Sequence, residues 1–110
     1  ITRQIASGNV ILEEGVVIIY GIYKRKQKIG NCMAKSGDAH INQIVSNIPG
    51  NASKVISRFF SHVSANVWLT VRSENDKARK FYRKNKMKEV GDISWMDGKL
   101  PGTVYLYEKE

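Results

Sequence analysis

The sequence predicts an α/β (α+β) fold, a mixed sheet with helices packed on it. Three observations carry that prediction. Apolar residues at Ala52, Val55, Ile56, Phe59, Phe60 and Val63 recur at intervals of three and four, which is one face of a helix. Val67, Leu69 and Val71 then alternate with Trp68, Thr70 and Arg72, which is the period of a strand. Around these two segments the chain reads as a run of strands followed by β-α-β-α-β-β, and that order builds a mixed sheet.

Taken in order, Ile1 to Ala6 reads as the end of a helix closed near Gly8. Val10 to Glu13 is a short strand, Glu14-Gly15 a turn, and Val16 to Gln27 a long strand rich in β-branched and aromatic residues. Gly21 inside it marks a bulge or a close backbone approach. Gly30 to Gly37 is small and polar, a loop or strand end. Asp38 to Ser46 is the next strand, and it runs into the loop Asn47-Ile48-Pro49-Gly50-Asn51. Pro49 and Gly50 break the strand, and Asn51 suits the N-cap of the helix that follows. After the strand Asn66 to Arg72, Ser73-Glu74-Asn75-Asp76 supplies caps and negative charge for a second helix running to about Asn85. That helix places Ala78, Phe81 and Tyr82 on its buried side. Met87 to Trp95 is a strand, Asp97 to Gly102 a loop with two turn signals, and Thr103 to Tyr107 a closing strand.

The bulk numbers set limits. The 110 residues are enough for one domain with one modest core, and 42% hydrophobic with 25% charged is an ordinary globular balance. The longest apolar run, Val16 to Tyr23, is too short to cross a membrane, and no signal peptide is visible. A single cysteine, Cys32, cannot close an internal disulfide, so a reduced, cytoplasmic setting fits; Cys32 reads as an idle thiol. The chain starts at Ile1 without a Met, as a fragment would, or a chain whose first residues are missing. The formal net charge of +8 is concentrated in Lys24, Arg25, Lys26 and Lys28, and in a second run from Lys77 to Lys88. Such clusters are either solvated surface or a seat for an anion, a phosphorylated ligand or nucleic acid.

The strand-loop-helix unit from Ile44 to Val63 is the candidate site. A strand turning sharply into a helix leaves several main-chain N–H groups aimed at one spot, and with the helix dipole they favour a phosphate. Neither G-x-x-x-x-G-K-[ST] nor G-x-G-x-x-G occurs, which argues against a P-loop nucleotidase and a dinucleotide-binding Rossmann unit.

The order of elements and three segments resemble one family, the GNAT (GCN5-related) N-acetyltransferases. Asn75-Asp76-Lys77-Ala78-Arg79-Lys80-Phe81-Tyr82-Arg83-Lys84-Asn85-Lys86-Met87 is similar to the family's N-x-x-A-x-x-[FLI]-Y-x-[KR]-x-G-F segment. Asn47 to Ala52 is similar to its [QR]-x-x-G-x-[GA] loop, and Val90-Gly91 with Val104 to Tyr107 is similar to its closing strands. The resemblance spans nearly the whole chain from about Ile5 onward. The chain departs from the pattern at Asn47, where Gln or Arg is usual, and at Asn85-Lys86-Met87, where x-Gly-Phe is usual. The family's first strand and the helices after it are largely absent.

The resemblance implies a mixed, mostly antiparallel sheet with flanking helices, in one minimal or N-terminally truncated domain over residues 1–110. A member of that kind would alternatively complete its site with another subunit as a homodimer. The resemblance also implies acetyl-CoA as the anion. The loop from Asn47 through Gly50, Asn51, Ala52 and Ser53 would hold its pyrophosphate. Ile44 and Val45 would pair their main chain with the pantetheine as an added strand. Asn75 and Ala78, at the start of the second helix, would border that arm, with Asn75 hydrogen-bonding it. Arg58, Lys54 or the cationic face of the second helix would meet the 3′-phosphate.

For chemistry, the resemblance implies direct attack of an amine on the thioester. Tyr82 would protonate the leaving thiolate, and His40, with Asp38 on the same strand, is the candidate base. The acceptor would be a small-molecule or protein amine, its pocket built partly from Gly30 to Gly37 and Trp95 to Gly102. A nucleic-acid acceptor, or a module that binds nucleic acid without turnover, is the alternative that the basic clusters suggest. No membrane partner is expected.

Overall fold

The computed structural model describes residues 2–5, 8–47 and 50–109, with side chains from residue 9 onward. Its first three strands, β1 (Thr2–Ile5), β2 (Gly8–Glu13) and β3 (Val16–Ile22), form an antiparallel meander. The β2–β3 turn is made by Glu14 and Gly15, both at positive φ, as a two-residue hairpin matched to strand twist requires. A small ribbon follows, β4 (Gln27–Ile29) and β5 (Cys32–Ala34). The remaining elements are β6 (Ala39–Ser46), α1 (Asn51–His62), β7 (Val67–Arg72), α2 (Asp76–Lys84), β8 (Lys88–Trp95) and β9 (Leu100–Tyr107).

Among the described residues, seven of the nine strands form one sheet in the order β1-β2-β3-β6-β7-β9-β8. Every pairing in it is antiparallel except β6 with β7, which α1 joins as a crossover; parallel neighbours need such a connection. The mixed, mostly antiparallel sheet with flanking helices is therefore the fold observed.

The β6–β7 pairing shapes everything that follows. It is only two residues long, Ala39↔Val67 and His40↔Trp68, after which the strands part. On its other side β6 stays paired with β3 from Ala39 to Ser46, with one register shift where Ile19↔Gln43 gives way to Tyr20↔Ile41. Asn42 is thus an extra residue, and a bulge of this kind bends and twists its strand. The bend falls directly after the last residue that β6 pairs with β7.

Each face of the sheet has its own core. On one side Val55, Ile56, Phe59 and Phe60 of α1 pack with Val16, Ile18, Ile41, Leu69 and Tyr105, and Ala78, Phe81 and Tyr82 of α2 lean on the same cluster. On the other side Ile29 and Ala34 of the ribbon bury themselves against Trp68 and Val104. The ribbon tip is clamped to β8 by a reciprocal pair of bonds: Asn31 N donates to Asp92 O (3.2 Å), and Asp92 N to Asn31 Oδ1 (2.9 Å).

Several sequence expectations are corrected. The segment expected to end a helix is strand β1 over Thr2–Ile5; pairing with β2 overrides a helical tendency too short to stand alone. Ile1 and Ala6 lie outside the described residues. The long strand from Val16 stops at Ile22, because the chain turns at Lys24-Arg25 and doubles back. The expected loop from Gly30 to Gly37 holds strand β5. Pro101 and Gly102 belong to β9, opposite Ser94 and Ile93, with the turn itself at Met96 to Lys99. Gly21 does mark a close approach: a Cβ there would meet His40 Nε2 at 2.6 Å.

Candidate functional site

Where β6 and β7 part, the β7-facing edge of β6 has no strand partner from Ile41 to Val45 among the described residues. A cleft of 350 Å³ opens beside it. Ile44 and Ser46 of β6 form one wall, Ala52 of α1 one end, and Asn75, Lys77, Ala78, Phe81 and Tyr82 the wall made by α2. Five residues predicted from the sequence therefore meet in one place: Ile44, Ala52, Asn75, Ala78 and Tyr82. Three were not predicted as site residues. Ser46 shares the strand face of Ile44 by alternation, and Lys77 and Phe81 share the i, i+4 row beside Ala78 and Tyr82.

The two helix N-termini differ, and the difference matters electrostatically. Helix α2 is capped by Asn75, whose Oδ1 accepts from Ala78 N (3.2 Å), and carries Asp76 in its first turn. Helix α1 has neither device. Its N-cap is Gly50, at φ 87°, with no side-chain cap and no acid in the first turn. A helix start without cap or carboxylate keeps its positive end for an external anion.

Asn51, expected as the cap, is the first helical residue instead. Its Nδ2 donates to Glu14 O (2.9 Å) and ties the helix to the β2–β3 turn. That turn also takes the amide of Asn47, which donates to Gly15 O (3.0 Å). Asn47 thus offers no main-chain donor to the cleft, whereas Gly50, Asn51, Ala52 and Ser53 stand at the helix start. Ile48 and Pro49 lie outside the described residues. Val45 is 43% exposed and does not line the cleft, so any part it takes is through its main chain.

The cations resolve as well. Arg58 is held between Glu13 and Glu14 by ion pairs to both carboxylates. Lys77 borders the cleft, and Lys54 is exposed on α1.

Tyr82 is half-buried and packs edge-on to Phe81 (5.3 Å between ring centres) and beside Tyr105 (5.9 Å). Burial raises its hydroxyl above the ordinary tyrosine value of 10.0, so it stays protonated at neutral pH.

His40 lies elsewhere. It lines a smaller cavity of 90 Å³ on the ribbon side, with Ile41 and Asn42 of β6, Trp68, Leu69 and Thr70 of β7, and Tyr23 and Ile29. Its Nδ1 is 2.8 Å from Asn42 Oδ1, and its ring lies tilted against Tyr23, 4.5 Å between ring centres. Asp38 is buried and accepts at Oδ2 from Trp68 Nε1 (2.9 Å) and from Lys35 N (2.9 Å). Among the described residues no helix is long and apolar enough to cross a membrane.

No protein-family model and no curated protein sequence matches the chain. Solved structures do. An acetyltransferase of the GNAT family from Bacillus cereus ATCC 10987 superposes with a TM-score of 0.65 at 15% identity, over 93% of this chain and 70% of its own. Arabidopsis thaliana NAA60, solved in complex with acetyl-CoA, gives 0.62 at 14% identity, over 86% and 64%. The ribosomal-protein-S18-alanine N-acetyltransferase from Escherichia coli gives 0.60 at 15% identity, over 91% and 66%. The chain thus spans about two thirds of the length of each of these proteins. The likeness lies in the fold: the chain has the GNAT acyl-CoA N-acyltransferase fold.

Proposed function

We propose that the chain binds acetyl-CoA in the cleft between β6 and α2 and transfers the acetyl group to an amine. One observation carries this reading: a strand edge open from Ile41 to Val45, an uncapped helix start and a protonated tyrosine border the same space. An open edge offers alternating N–H and C=O groups to the amides of a pantetheine arm, as to an added strand. The start of α1 offers main-chain N–H groups and a positive dipole to a pyrophosphate. Asn75 keeps its Nδ2 donor for the arm, since only its Oδ1 is spent on the cap. Lys77 is the cation placed to meet a phosphate at the cleft wall. The fold neighbours include a protein solved with acetyl-CoA.

The acetyl thioester supplies the acyl group: a C–N bond to the acceptor forms, the C–S bond breaks, and CoA leaves as a thiol. Tyr82 holds a proton at its hydroxyl, inside the cleft, for the departing sulfur. The acceptor nitrogen approaches from the ribbon side through the gap past His40 and Trp68, and its surplus proton passes to His40 or to water on that side.

Calorimetry with CoA is the test. Saturable one-to-one binding is expected, and no heat with folded protein would overturn the reading. Tyr82→Phe is expected to lower kcat by about 10² or more, the usual scale of a lost proton-transfer group, and to leave CoA affinity within about twofold. Unchanged turnover would remove Tyr82 from the chemistry.

A further inference from the structure

The small cavity on the ribbon side has a chemistry of its own. It lies just past the last β6–β7 pair, at the apex of the gap whose opposite side opens toward Ile44. Three of its lining side chains are aromatic: the Tyr23 ring, the His40 imidazole tilted against it, and the Trp68 indole. Behind the indole stands Asp38, a carboxylate only 5% exposed that accepts from Trp68 Nε1 and has no Lys or Arg partner among the described residues. A buried carboxylate without a counter-cation is costly and projects a negative potential onto the groups beside it. Tyr23 registers that field: burial and then the Asp38 charge raise its hydroxyl above the ordinary value. Aromatic side chains beside a buried carboxylate that has no counter-cation suit an ammonium group.

The shape narrows the ligand further. Ile29 of the ribbon lines the cavity, and the ribbon is fixed on the sheet by Ile29 and Ala34 against Trp68 and Val104 and by the Asn31–Asp92 bonds to β8. Asn42 and Thr70 are exposed and form the mouth. A cavity of 90 Å³ admits only a few atoms, so a longer ligand places one end in it.

From this we propose that the Tyr23–His40–Trp68 cavity is the acceptor site, and that it selects the end of an unbranched primary alkylamine, a free amine or a lysine side chain, over an α-branched amine such as a peptide N-terminus. This rests on the acetyl-transfer reading, but binding to the cavity is measurable without it. In a Trp95→Phe background, n-butylammonium should perturb Trp68 emission saturably and n-butanol should not. With acetyl-CoA, n-butylamine and Nα-acetyl-lysine methylamide should both exceed alanine amide in kcat/KM by tenfold or more. The ratio between the first two shows whether the acceptor is free or peptide-borne. Thr70→Phe, at an exposed position, should block the mouth, raising KM for the amine at least tenfold with CoA affinity unchanged. Tyr23→Leu should act in the same direction. Equal responses to butylammonium and butanol, equal rates for the branched amine, or a wild-type KM in Thr70→Phe would overturn the proposal. If CoA gives no heat while butylammonium still perturbs Trp68, the function falls and the cation site stands.

Discussion

Asn75 illustrates how one side chain serves two ends. Its Oδ1 caps α2 through Ala78 N, and in the proposed function its Nδ2 would bond the pantetheine arm in the cleft. The two duties separate by substitution. Asn75→Asp keeps the cap oxygen and loses the donor, so it should melt within about 0.5 kcal/mol of wild type while CoA affinity drops severalfold, because a hydrogen bond is gone and a like charge is added near a phosphate. Asn75→Ala should lose about 1 kcal/mol of stability as well. Thermal melts and CoA calorimetry on the same two variants check both halves. Equal affinity for Asn75→Asp and wild type would take Asn75 out of the cofactor site.

At the scale of elements, α1 and α2 present opposite solutions to the same problem. Both have a positive end. In α2 it is neutralised within the chain, and in α1 it is left open, at Gly50. Ser53→Glu would place a carboxylate in the first turn of α1. A helix by itself gains from such a charge, about 0.3–1 kcal/mol. If the proposed function holds, CoA affinity should nonetheless fall by about tenfold, since the new charge would occupy the field assigned to the pyrophosphate. Urea denaturation should show an unchanged or raised midpoint, and calorimetry the loss. A variant that binds CoA as wild type does would place the anion elsewhere. The ribbon contributes in a different way, by covering the far face of the sheet. Strands β4 and β5 are too short to hold together alone, and they persist because Ile29 and Ala34 are buried on the sheet and Asn31 is bonded to β8. For the same reason neither strand announces itself in the sequence, since three residues carry no period of their own.

For the whole molecule, the titrating groups set a pH window. Glu89 lies below its ordinary value of 4.5, because the Tyr105 hydroxyl donates to it (2.9 Å) and Arg79 and Arg83 stand close by. A lowered carboxylate favours the folded state above its unfolded value, and that contribution is lost as pH falls through the folded one. Tyr23, Tyr82 and Tyr105 lie above 10.0, each chiefly through burial. A raised group works the other way: its contribution is complete below 10.0 and is lost as pH rises through the folded values. Melting temperature should therefore decline on the acid side of 4.5 and on the alkaline side of 10.0. Glu89→Gln should flatten the acid limb, and Tyr82→Phe part of the alkaline one. An alkaline limb identical in wild type and Tyr82→Phe would mean that the tyrosine is not desolvated as described.

Residue order alone was enough to specify α1 and α2 and strands β6 to β9 in outline, since these depend on periodicity that the chain carries locally. The convergence of Ile44, Ala52, Asn75, Ala78 and Tyr82 was legible only through the resemblance to the N-acetyltransferases. Only tertiary contacts decided the rest. Strand β1 exists because β2 offers it an edge. Asn51 serves the Glu14 turn rather than the helix cap because the turn lies within its reach. His40 lies on the ribbon side and Tyr82 on the helix side, and the sheet between them parts because the parallel β6–β7 pairing lasts only two residues. A split sheet is a relation between strands far apart along the chain, and no local pattern records it.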